Sequence, residues 1–447
     1  MASELLPEIL EKTLNNLYDF NGDFNEIDTC SLRSCTLVNW HWCKVTTPIL
    51  WRDTFLCIKD VCVPVYLSFL GEDEKIKLRE CGITIDHYPE ALFNYPSFLK
   101  HLDIDRLLDT VHVYVNPPEK NIKETMDDLT LSSLTTLNNI NLSEIDFNDV
   151  TTLNNLTNLL NNVRQHTNPP IREMNENMKD TANKLANLLL KIFIENGATL
   201  IKLNIITSIS GFPPIQSEIF HSLEQNGQFF SHLQEVFLYT DSGKFSNDLI
   251  MLLRSLVKVS TNIHTLKLRE THRYGRSTIN YDPQTLDVLA VLIRSQRKLR
   301  KLDISYEKSF KGVISALKSQ ENSLQELILS GQYIPEYMVL KDCETLEVLR
   351  IKDRDAIPIL KQLADGLCKL STLDIGDGKL TSSDIIPLIR NSGQILQRLR
   401  LVPSDENIPS QSLLWKTLIE YCPNLIYFCI CCVELSNQFV EFIEGLQ

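Results

Sequence analysis

Hydrophobic positions return along this chain in one short pattern, L-x-x-L-x-L, with Ile, Val or Phe allowed in place of Leu. It runs through Leu200-Leu203-Ile205, Leu233-Val236-Leu238, Ile263-Leu266-Leu268, Leu299-Leu302-Ile304, Leu324-Leu327-Leu329, Leu346-Leu349-Ile351, Leu370-Leu373-Ile375, Leu396-Leu399-Leu401 and Leu425-Phe428-Ile430. An earlier copy is Leu99-Leu102-Ile104. A single match is weak because Leu is common. A succession in which each start lies 22 to 36 residues after the last marks a structural repeat. The alternation at the end of each copy has period two, which predicts a short strand with its leucine side in the core and the intervening positions facing out.

Between copies the apolar period becomes that of a helix. Examples are 247–259 (NDLIMLLRSLVKV) and 282–296 (DPQTLDVLAVLIRSQ), the latter with Asp282 as cap and Pro283 in the first turn. A third is 381–393 (TSSDIIPLIRNSG), where Gly393 stands near the end and Pro387 kinks or divides the run. Each unit reads strand, helix, strand, and one unit cannot cover its own apolar face, so neighbours must stack. The expected fold is therefore α/β, a curved leucine-rich-repeat solenoid over 56–447 with an inner parallel sheet and outer helices. SNQFVEFIEGLQ at 436–447 reads as a closing helix, and YPSFLKHLDIDRL at 95–107 as a first repeat. The Asn that usually follows the core of such repeats is mostly missing, which predicts irregular turns. The Asn-rich stretch 138–180, with its Pro-Pro step, reads as an insertion, and a helix over 179–197 leads into the repeat at Leu200.

The first 55 residues have another character. LLPEILEKTLNNL at 5–17 predicts a helix with Pro7 in its first turn, Glu8 and Glu11 near the positive end of its dipole, and Leu10, Leu14 and Leu17 on one face beside Ile9. Asp28 reads as the cap of a second helical stretch over 29–45, in which Leu32, Cys35, Val38 and Trp42 share a face and which ends at Thr46–Pro48. This segment resembles the F-box, in particular the expanded F-box families of fungi. The matching pieces, in the family's order, are Leu6-Pro7-Glu8-Ile9-Leu10, then Leu37-Val38-Asn39 with Trp42, then Pro48-Ile49-Leu50-Trp51. The loop from Leu17 to Asp28 is longer than usual for the family, and Asn39 stands where many members have Cys. The resemblance implies that helices in 1–55 dock on a Skp-type adaptor, and through it on a cullin, using Leu6, Pro7, Ile9, Leu10, Leu14, Leu37, Val38, Trp42 and Trp51. About fifty residues bury such a set poorly alone, and a partner would supply the missing core. The competing reading makes these positions the plain core of a helical cap on the solenoid.

Charge and chemistry narrow the function. A net charge of −13 argues against broad attraction to nucleic acid or an anionic membrane. No apolar run has the length of a membrane span, and MASELLPEIL lacks a basic leader, so a cytoplasmic or nuclear location is expected. The 12 cysteines show no paired CxxC spacing and read as small hydrophobes in a reducing compartment. Phosphate-loop, dinucleotide, zinc-protease and nucleophile-elbow motifs are absent, and the His residues are dispersed, so neither catalysis nor a cofactor or metal is expected. A Cys–His pair assembled only in space stays open.

Recognition is expected on the outward strand positions, among them Phe237, Tyr239, Lys267, Arg269, Arg350, Lys352, Arg398 and Arg400. The last four, around Asp374, read either as a docking surface for an acidic or phosphorylated target or as a solvated strand face of mixed sign. Phe237 and Tyr239 read as exposed apolar contacts or as positions covered by a neighbouring loop. The function these features imply is substrate recognition in a Skp–cullin–F-box ubiquitin ligase, with adaptor at one end and an unknown target protein on the repeats. The alternative is a repeat-protein scaffold without a ligase role.

Overall fold

The middle leucine of every copy falls in register with the next. Leu102, Leu203, Val236, Leu266, Leu302, Leu327, Leu349, Leu373, Leu399 and Phe428 are successive cross-strand partners. The strands are His101–Asp103 (β1), Lys202–Thr207 (β2), Glu235–Thr240 (β3), Thr265–Glu270 (β4), Lys301–Ser305 (β5), Glu326–Ser330 (β6), Val348–Ile351 (β7), Thr372–Gly378 (β8), Arg398–Pro403 (β9) and Tyr427–Ile430 (β10). They form one ten-stranded sheet in sequence order, with every pairing parallel. The computed structural model describes residues 7–19, 29–58, 62–83, 91–117, 176–207, 212–240, 245–270, 282–305, 312–330, 335–352, 356–363, 369–378, 381–403, 411–430 and 436–445. The expected insertion at 138–180 lies outside these residues up to 175, and its last five residues open the helix Glu176–Glu195.

Two compact units divide the chain. The first comprises Met1–Ile58, Pro89–Arg106 and Leu190–Gln447, and so contains the whole sheet. The second comprises Lys59–Tyr88 and Leu107–Leu189. It holds the helices Cys62–Leu67 and Glu72–Glu80, with Cys62, Val63, Tyr66, Leu67 and Leu78 buried.

The outer element varies from copy to copy. Where copies start about 30 residues apart there is room for a full helix, as in Asn247–Val259 and Pro283–Arg294. From Leu299 to Leu324 and from Leu324 to Leu346 the starts are 25 and 22 residues apart. There the connection shrinks to the single turn Val313–Ala316 with a 3₁₀ turn at Leu317–Gln320, then to the 3₁₀ segment Pro335–Asp342. Asp282 occupies the N-cap position of its helix, but its side chain makes no capping bond. Thr381 and Asp384 do form a reciprocal capping box, and Ser382–Ser392 continues as one helix through Pro387.

Backbone and side chain both tie neighbouring repeats. One carbonyl before each strand accepts two N–H groups from the next copy: His264 O from Arg300 and Lys301, Arg300 O from Gln325 and Glu326, Gln325 O from Glu347 and Val348. Two buried glutamines lie just ahead of their copies, Gln296 before Leu299 and Gln320 before Leu324. The Gln296 carbonyl accepts from Ile263 N at 3.0 Å, and its amide donates to Ser260 O and Leu292 O. The Gln320 carbonyl accepts from Leu299 N at 3.2 Å, and its amide donates to Ile293 O and Gln296 O.

The N-terminal segment packs as α1 (Pro7–Asp19), α2 (Thr29–Thr36) and α3 (Trp40–Leu50). The stretch over 29–45 is two helices rather than one. Asn39 takes an extended conformation and accepts a hydrogen bond from Trp42 N at 3.0 Å, which starts α3 afresh. α3 also runs past Thr46–Pro48 to Leu50, with Pro48 in its last turn. The module then joins the repeats directly. The Arg52 carbonyl accepts from Lys100 N and His101 N, both at 3.0 Å, and so takes the place that a preceding repeat would fill.

Candidate functional site

Burial sorts the N-terminal motif residues into two sets. Leu10, Leu14 and Trp51 are buried, the last packed on Tyr95 with ring centres 4.3 Å apart, which makes them interior positions. Trp42 is half-buried. Pro7 and Ile9 are exposed, and Leu6 lies outside the described residues. The turn between α2 and α3 is the conspicuous feature: Leu37 is 86%, Val38 52% and Trp40 56% exposed. Trp40 stacks on Phe93 at 5.5 Å and still shows most of its ring to solvent. Three large apolar side chains within four residues thus lie at the surface around Asn39, whose extended backbone separates α2 from α3. Trp40 carries no part in the motif match, and only its place in the turn reveals it.

The outward sheet positions form rows across the strands. One row runs Asp103, Asn204, Phe237, Lys267, Asp303, Ile328, Arg350, Asp374, Arg400, Cys429. The row beside it includes Lys202, Glu235, Lys301, Glu326 and Arg398. Much of this surface is electrically satisfied by itself. Arg269 pairs with Asp303, which is 1% exposed, and that bond holds the guanidinium in its charged form. Lys301 meets Glu326 at 2.8 Å. Arg350 lies between Glu326 at 3.5 Å and Asp374 at 3.7 Å, and Arg400 reaches Asp374 at 3.1 Å. The pattern around Asp374 is therefore an alternating ladder of charge. Lys352 is exposed, and the Arg398 guanidinium lies 4.9 Å from the Tyr427 ring centre.

Phe237 is only 8% exposed, which corrects the expectation of an open apolar contact. Its cover includes two ammonium groups, Lys267 Nζ at 4.2 Å and Lys202 Nζ at 4.7 Å from the ring centre. Tyr239 is half-buried, and that burial pushes its phenol above the ordinary value. Lys202, Lys301 and Glu326 fill the same x position of their copies, so the repeat phase alone identifies them as surface residues.

Among the described residues, no group of three or more His, Cys, Asp or Glu side chains is placed to hold a metal ion. Among the same residues, no helix is long and apolar enough to cross a membrane. The cysteines described there are free, with Cys57, Cys62, Cys343 and Cys422 buried, Cys35, Cys43 and Cys429 intermediate, and Cys81 exposed against the expectation for the set. No protein-family model matches the chain, and no curated protein matches it.

Proposed function

We propose that this protein bridges two others without bond chemistry of its own, as the substrate-recognition subunit of a Skp–cullin–F-box ubiquitin ligase. The observation that carries the reading is the exposed Leu37–Trp40 turn, set within helices whose motif residues follow F-box order. Covering Leu37 and Val38 with a Skp-type adaptor would remove apolar surface from water at about 1.5–3 kcal/mol per fully buried side chain. The repeats would hold the target protein, and the rate gain would come from proximity of a target lysine to a conjugating enzyme brought by the cullin. Such a complex works in the cytoplasm or nucleus.

The test is adaptor binding by the full chain against Leu37→Asp with Val38→Asp. Both side chains are exposed, so the variant should melt like the parent. Adaptor affinity should fall by about tenfold or more. No adaptor binding by the parent, or equal binding by the variant, rejects the reading.

A second reading has its own support, a repeat scaffold whose N-terminal helices only cap the array. The Arg52 carbonyl already stands in for a missing repeat, and Trp51 is committed to the core beside it. Under this reading the parent chain does not bind the adaptor at all.

A further inference from the structure

Four cations on the sheet face have no carboxylate within ion-pair reach among the described residues: Lys202, Lys267, Lys352 and Arg398. Lys352 and Arg398 stand apart, the latter spent on Tyr427. Lys202 and Lys267 converge on one side chain, with Phe237 between β2 and β4 as the shared floor. The nearest guanidinium, Arg269, is locked to Asp303 and does not compete with them. We infer that the face of β2–β4 over Phe237 is the docking point for a short acidic peptide segment of a partner protein, with its carboxylates on Lys202 and Lys267. This rests on the reading that the sheet face holds the target.

Three features support that chemistry. The chain carries −13 overall, so a pair of uncompensated cations is a local exception that an acidic segment would find. The Lys267 ammonium is driven below its usual range by burial first, then by Arg269, Lys301 and Lys202 against the opposing pull of Asp303, and an arriving carboxylate adds to that pull. The site is also narrow. Glu235 is the cross-strand partner of Lys202, and Asp103 lies two strands from Phe237 on the same row. Those carboxylates repel a long polyanion such as nucleic acid and leave space for a few carboxylates.

The probe is a fluorescein-labelled peptide of about ten residues with glutamates around one central leucine, titrated at low salt against the full chain by anisotropy. Lys202→Gln with Lys267→Gln should weaken binding about tenfold or more, Lys202→Arg with Lys267→Arg should keep it, and Lys352→Gln with Arg398→Gln should change it by less than about twofold. The same peptide with glutamine for glutamate should not bind. The proposal is overturned by a parent chain that does not bind the acidic probe. It is equally overturned if both glutamine pairs weaken binding alike, or if a single-stranded oligonucleotide of equal charge binds more tightly through the same lysines. Adaptor binding is measured on the same proteins. A chain that takes the peptide but no adaptor loses the ligase reading and keeps this site, and one that takes the adaptor but no peptide does the reverse.

Discussion

At Gly393 the need for glycine comes from distance rather than from backbone angle. Its φ of −56 suits any residue, but a Cβ there would stand 2.5 Å from Ile389 O and 2.6 Å from Tyr421 O. Gly393→Ala should cost about 1–3 kcal/mol in denaturant unfolding, because both neighbours are backbone and cannot swing aside. Gln320 is a second residue on which several neighbours depend. It is 1% exposed and serves three backbone groups, so Gln320→Leu leaves Leu299 N and Gln296 O unpaired and removes one of the two donors to Ile293 O. A loss of about 1–3 kcal/mol is expected, against almost none for a change at exposed Gln325. The buried thiols make a pH prediction. Burial pushes Cys57 and Cys422 up to about 12 and Cys343 to about 11, from 9.0. The unfolded chain releases those protons near pH 9.0 while the folded chain keeps them. Stability is therefore unaffected by these groups below that value and falls as the pH rises through it, which urea unfolding at about pH 8 and about pH 10 will register. In the folded protein near neutral pH, alkylation should reach Cys81 and spare all three.

At the level of elements, the strands were legible and their connections only partly so. Each strand is announced by three apolar residues at fixed steps, and each register by the middle one, so Leu302 opposite Leu266 needs no further information. The helix over Asn247–Val259 matches its apolar run end to end for the same reason. The segment 29–45 misled because Leu32, Cys35, Val38 and Trp42 keep helical phase across a turn, and the break is written in one hydrogen bond that Asn39 Oδ1 accepts from Trp42 N. Gln296 and Gln320 were invisible because periodicity cannot show a polar side chain that is buried for its amide. The surface was half legible. The x positions did face outward, but the neutralisation of Arg350 by Glu326 and Asp374 depends on strands from repeats of unequal length meeting in register. Trp51 was expected as a contact for another protein and lies in the join between module and repeats instead. Trp51→Ala should therefore lower stability by about 3–5 kcal/mol with or without a partner present, read by thermal or denaturant melting.

On the scale of the whole molecule, stability is a chain of neighbour contacts with two different ends. At the start, Arg52 supplies the acceptor for Lys100 and His101, and Phe55 packs edge-on to Phe193 with ring centres 6.0 Å apart. At the far end Trp415, fully buried, meets Phe428, Phe439 and Phe442 within 5.8 Å. Removing residues 1–58 should give an aggregating product, since it strips the first strand of its cap. Removing everything after Pro403 deletes the helix Gln411–Tyr421, the strand β10 and the helix Asn437–Gly445, uncovers the edge of β9, and should likewise give a less stable, aggregation-prone product by circular dichroism and gel filtration. The order of the strands carries a consequence for how the protein is made. Because β1 to β10 lie in the order of translation, each strand after β1 leaves the ribosome to find its mate already in place, and only the newest strand waits for a partner still to be synthesised. Growth by accretion of this kind keeps the sticky edge one strand wide throughout, and nascent chains stalled one repeat apart should gain protease resistance in equal steps.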